Sequence, residues 1–128
     1  MIQAILVFVG GGLGALGRWG FGIFAARVWG GIWPWGTLGV NVIGGLVMGI
    51  VMGHLMKTGA MTPASDNWRL FLATGVLGGF TTFSAFSLET AKMIEAGHWQ
   101  SAGLYSVSSV VLSVAAVFAG MALSRLNG

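Results

Sequence analysis

The charged residues, Asp, Glu, Lys and Arg, are distributed along this chain so as to leave four long stretches with none: Ile2–Gly17, Val28–Met56, Leu70–Leu88 and Ala96–Ser124. A bilayer core takes roughly 20 consecutive apolar residues as helix. One such stretch suits the buried helix of a soluble domain, but four within 128 residues predict four membrane-spanning helices. They fall at about 3–27, 36–56, 68–95 and 99–125. The first link, Gly30-Gly31-Ile32-Trp33-Pro34-Trp35-Gly36, reads as a turn with tryptophans at headgroup level. Lys57 to Asn67 is the most polar segment, where Asp66 or Asn67 is expected to cap the third helix. Gly97-His98-Trp99 closes that helix at an interface. No linker or low-complexity tail interrupts the pattern, which predicts one transmembrane domain over 1–128.

Composition reinforces the pattern. The chain is 55% hydrophobic and 7% charged, whereas a soluble domain carries about 25% charged residues. Six Lys+Arg against three Asp+Glu leave a net charge of +3. The basic residues stand singly at span edges, as in membrane proteins, which excludes nucleic acid as a partner. There is no cysteine, so thiolate metal sites and disulfides are excluded. The first apolar stretch lacks a basic n-region and a small-residue cleavage site, and reads as mature structure rather than a signal peptide. His54 and His98 lie near span ends without carboxylate or cysteine neighbours, so they read as interfacial residues and not as an enzyme's machinery.

Charge also bears on orientation. A cytoplasmic N-terminus would put Lys57, Arg69 and Arg125 inside and Arg27 and Lys92 outside, with Arg18 within the first span. That near balance gives the positive-inside rule nothing to act on. It predicts a homodimer of inverted subunits, antiparallel and of dual topology.

Small and polar residues mark the packing faces. Gly10, Gly14, Arg18 and Gly22 recur every fourth residue in the first span, and Thr37, Asn41, Gly45, Gly49 and Gly53 do so in the second. Such stripes let helix backbones approach closely in lipid. Asn41 and Thr37 add amide and hydroxyl groups to that face. In the third span, Gly78-Gly79 followed by Thr81-Thr82 is a poor helix interior, and predicts a helix broken near the bilayer midplane. Irregular backbone at that depth must be buried in protein or line a cavity, and its freed carbonyls can coordinate a cation. A continuous helix with hydroxyls bonded back to i−4 carbonyls is the competing reading. Phe83 and Phe86 share a face if the helix resumes there. The positive edge of an aromatic ring can lie against an anion, although two phenylalanines in a membrane helix more commonly face lipid or core.

In the fourth span Tyr105, Ser109 and Ser113 form a row of hydroxyls over roughly 12 Å. Hydroxyls replace part of an anion's water shell without trapping it, and they equally serve helix–helix bonding. Ser106 and Ser108 fall off that row. Together with Asn41 and the phenylalanines, the row outlines a route for a small anion with no lysine or arginine at its centre.

The run Gly78-Gly79-Phe80-Thr81-Thr82-Phe83-Ser84-Ala85-Phe86-Ser87 resembles the hallmark of the Fluc, or CrcB, fluoride channels. Gly36-Thr37-Leu38-Gly39-Val40-Asn41 and the glycine-rich first span ending in Arg18-Trp19 are similar to the same family. The likeness covers nearly the whole chain. Phe80 stands where the family usually has leucine, and Ala85 where threonine is common. The resemblance implies an all-α membrane protein of the bacterial cytoplasmic (inner) membrane, a dual-topology homodimer that passively exports toxic fluoride. It implies a structural sodium ion held by the backbone carbonyls of Gly78 and Thr81. It assigns Asn41, Phe83, Phe86, Tyr105, Ser109 and Ser113 to the fluoride pore and Arg18 to a vestibule, with no ATP or redox cofactor. From the residues alone, Arg18 equally snorkels or pairs with Glu89.

Two other functions compete. A small dual-topology coupled transporter needs a membrane-embedded carboxylate, and of the three acids Asp66 lies in a link while Glu89 and Glu95 are expected at or past the end of span three. A non-transporting structural subunit explains the glycine stripes and leaves the hydroxyl row without purpose.

Overall fold

A computed structural model describes residues 1–31, 33–58 and 63–126. Ile32 of the first link and residues 59–62 of the polar link lie outside the described residues. The architecture is all-helical: α1 (Ile2–Trp29), α2 (Trp35–Thr58), α3 (Pro63–Arg69), a π-helical stretch (Leu70–Leu77), α4 (Gly78–Phe80), α5 (Phe83–Glu95) and α6 (Trp99–Leu126). Four helical segments are long and apolar enough to cross a membrane: Ile2–Trp29, Trp35–Lys57, Ser65–Glu95 and Trp99–Leu126. The protein is thus a multi-pass membrane protein, and its spans match the charge-free stretches.

Its inside and outside are the reverse of a soluble protein's. Phe8, Leu104 and Phe118 are exposed, while Gly10, Gly14, Ser109 and Tyr105 are buried. Lipid is as apolar as leucine, so burying large aliphatic side chains gains little there. Close backbone packing and polar pairing hold the helices instead.

Glycine makes that packing close. A Cβ on Gly10 would lie 3.0 Å from the Gly75 Cα, and one on Gly14 would strike the Val76 carbonyl and approach the Phe80 nitrogen to 2.7 Å. These contacts seat α1 against the π-helical stretch and α4. The seam between α2 and α6 is built alike. A Cβ on Gly45 would come within 2.8 Å of the Ser113 carbonyl, and one on Gly49 would strike the Val117 carbonyl. Gly120 contributes to this seam from the α6 side, against Leu46 and Ile50. Gly22, the last member of the first stripe, meets α2 through its Cα, which a Cβ on Gly36 would approach to 3.1 Å.

The third span departs from a regular helix twice. The Gly78 N–H donates to the Ala73 carbonyl five residues back and to the Gly75 carbonyl, so the chain enters α4 from a widened turn. It then bends at Thr81 (φ −84°, ψ 159°) and Thr82 (φ −153°, ψ 122°), both extended. The paired glycines remain helical, and the bend falls on the β-branched residues instead. Thr82 restarts the helix: its Oγ1 accepts from the Ala85 N–H at 3.2 Å, as an N-cap residue should. At the head of the span, Asp66 is not a cap. It lies inside α3, which begins at Pro63, and accepts from Arg69 Nη2 at 2.8 Å.

Candidate functional site

The bend is held from α2. Asn41 Nδ2 donates to the Thr82 carbonyl at 3.0 Å, and the Thr82 N–H donates to Asn41 Oδ1 at 2.8 Å. This pair of hydrogen bonds mimics strand pairing, and satisfies both backbone polar groups of extended Thr82 inside the membrane. Asn41 therefore spends one N–H and one lone pair on the backbone and keeps the others. From the opposite side, Arg18 Nε donates to the Gly79 carbonyl at 3.1 Å. No ion pair joins Arg18 to Glu89; the one ion pair among the described residues is Arg69–Asp66.

Two cavities meet at Thr82. The first, of about 520 Å³, is walled by Arg18, Trp19, Trp33, Thr37, Thr82 and Glu89, among others. The second, a groove of about 410 Å³, gathers Asn41, Thr81, Thr82, Phe83, Phe86, Ser109 and Ser113. Five of the six residues assigned to a pore from the sequence thus share one groove, and all lie on α2, α5 and α6. The sixth, Tyr105, stands between the cavities. It is fully buried, its ring centroid is 5.2 Å from that of Phe86 and 5.7 Å from that of Trp33, and Phe86 continues to Phe83 at 5.6 Å.

Glu89 is the residue that sequence reasoning underrated. It lies within α5, ahead of Glu95 where that helix ends, and is half-buried rather than at a span end. Its Oε1 accepts from Thr37 Oγ1 and its Oε2 from the Tyr105 hydroxyl, both at 2.7 Å. Short bonds of this kind to a carboxylate are charge-assisted. They commit the Tyr105 hydrogen to Glu89, so Tyr105, which lines neither cavity, meets Phe86 as a ring and not as a free donor. Its spacing of three residues from Phe86 is the sole signal in the sequence, and the partners are 52 and 16 residues away.

The serines differ. Ser109 Oγ, Ser113 Oγ and Ser124 Oγ are buried without a hydrogen-bond partner; the first two belong to the groove, and Ser124 lies against Gly53. Buried polar atoms are almost always paired, and two of these three unpaired hydroxyls share the groove with Asn41, Phe83 and Phe86. Ser106 and Ser108 line neither cavity. No group of three or more His, Cys, Asp or Glu suited to a metal occurs among the described residues.

Comparison with known proteins shows the family. Residues 5–121 match the family described as CrcB-like protein, Camphor Resistance (CrcB). A protein of Nitrobacter hamburgensis named Fluoride-specific ion channel FluC 2 is 52% identical over 121 residues, covering 94% of this chain and 95% of its own. Proteins named Fluoride-specific ion channel FluC from Caulobacter sp. strain K31 and Caulobacter vibrioides are 48% and 47% identical over 125 residues. Both alignments cover 98% of this chain, and 96% and 97% of the relatives. The chain belongs to the CrcB-like family.

Proposed function

We propose that this CrcB-family chain is a fluoride channel and not an enzyme, and that it works as an antiparallel pair of inverted subunits in the bacterial cytoplasmic (inner) membrane. Fluoride leaves the cell through it passively, which lowers its toxicity. The observation that carries this reading is the pair of unpartnered hydroxyls, Ser109 and Ser113, on the same groove as Phe83 and Phe86. An O–H donor replaces a water of hydration, and an aromatic edge offers further positive potential. Neither is a full charge, so an ion is stabilised without being held. The names of the relatives supply the ion.

The rest of the proposal concerns assembly. Phe83 is 77% exposed in the single chain although it lines the groove. A second, inverted copy would cover that ring and close the groove into a path, and the balanced span-edge charges support such pairing. The bend between α4 and α5 suits a sodium ion on carbonyl oxygens. The Thr82 N–H, which in a continuous helix would take the Gly78 carbonyl, goes to Asn41, and the Ala85 N–H, due to Thr81, goes to Thr82 Oγ1. The Gly78 and Thr81 carbonyls are thereby left as hard oxygen donors, two from each subunit. Bound there, sodium would supply a fixed charge joining the two bends; it is structural and not transported.

Fluoride efflux from vesicles reconstituted with the purified protein tests the reading, with chloride-loaded vesicles as control. Rapid fluoride loss with chloride retained is expected. Fluoride retention equal to that of protein-free vesicles contradicts conduction and favours a structural subunit. The position of Glu89 supports a second reading, a proton-coupled carrier, because it places a carboxylate within a span. A carrier's fluoride flux would follow an imposed pH gradient, whereas a channel's follows the fluoride gradient and membrane voltage.

A further inference from the structure

The Gly79 carbonyl loses its helical donor where the chain turns extended at Thr81, because the Phe83 N–H then belongs to the first turn of α5. Arg18 Nε takes that place, 61 residues away in sequence. The neighbours of Arg18 on α1 close on the same segment. A Cβ on Gly14 would approach the Phe80 nitrogen to 2.7 Å, and one on Gly17 would lie 3.3 Å from the Phe80 ring. Asn41 holds Thr82 from the other side. The bend is thus gripped at Gly79 from α1 and at Thr82 from α2, three residues apart.

We propose that Arg18 is a positioning residue whose Nε–H, rather than its charge, fixes the bend by replacing a lost helix bond. A carbonyl left without a donor inside the membrane is penalised by the whole desolvation of that group. A guanidinium stem provides the donor at a fixed distance from α1. The inference rests on the reading that the bend lines the ion path, and it says what keeps that path in shape.

Three substitutions separate donor from charge. Arg18→Gln puts an N–H at the bond distance of Nε and removes the charge. Arg18→Lys keeps the charge but puts a methylene there, and Arg18→Met has neither. The readout is amide hydrogen exchange across residues 78–84 in detergent, above all at the Thr82 N–H. Exchange in Arg18→Gln is expected to stay near that of the unsubstituted protein. In Arg18→Lys and Arg18→Met it should be about ten- to a hundred-fold faster, the effect of leaving one buried carbonyl without its donor. If Arg18→Met does not assemble, the order of the other two decides. Protection kept in Arg18→Lys but lost in Arg18→Gln would overturn the proposal, as would equal exchange in both. Exchange is read without fluoride, so its failure leaves conduction standing. Absent fluoride efflux with the expected exchange order would remove conduction alone.

Discussion

The two cavities that meet at Thr82 are built from similar residue types, yet they use their polar atoms in opposite ways. Around Glu89 the hydroxyls of Thr37 and Tyr105 are spent on one carboxylate. Along the groove, the hydroxyls of Ser109 and Ser113 have no partner. A satisfied cluster inside a membrane holds helices together, here α2, α5 and α6. An unsatisfied pair adds nothing to that, and under the proposed function it serves the ion. The difference separates structural polarity from functional polarity within one chain, and it predicts that substitutions in the two regions fail by different measures.

The groove should fail in conduction. Replacing Phe83 or Phe86 with isoleucine keeps apolar bulk and removes the positive ring edge. Fluoride efflux is expected to drop to about one hundredth or less, a barrier increase of roughly 3 kcal/mol, while the unfolding midpoint in detergent stays put. Near-normal efflux in either variant would take that ring out of the path. The cluster should fail in stability. Glu89→Leu leaves two hydroxyls without their acceptor, and a loss of about 2–4 kcal/mol is expected from two such orphaned groups. Denaturation in detergent measures it, and an unchanged midpoint would mean that the cluster holds nothing. The smallest effect belongs to Thr37→Val, which removes one of the two donors to Glu89. About 1 kcal/mol of stability should go, with fluoride efflux nearly intact. A large loss of efflux with full stability would move Thr37 to the conducting side of the comparison.

Much of this was open to sequence reasoning because it rests on local pattern. Charge-free runs set the four spans, and a glycine every fourth residue marks Gly10 and Gly14 on α1 and Gly45, Gly49 and Gly53 on α2. The bend is legible to within a few residues, since Thr81-Thr82 disfavours helix interior. Its placement on the threonines rather than the glycines depends on Asn41, whose pairing with Thr82 joins residues 41 apart. The π-helical stretch Leu70–Leu77 has no local signature, because a widened turn is stabilised by what packs against it, here the notch at Gly10 and Gly14. The roles of Glu89 and Arg18 were hidden for the same reason: each partner comes from a different span.

The central claim is that free hydroxyls on the groove conduct and do not hold the fold. Its most direct test is the doubly substituted protein, Ser109→Ala with Ser113→Ala, assayed for fluoride efflux beside its unfolding midpoint. Efflux at least about tenfold slower, with a midpoint equal or higher because two unsatisfied buried groups are gone, is the predicted result. A lowered midpoint with efflux unchanged would contradict it.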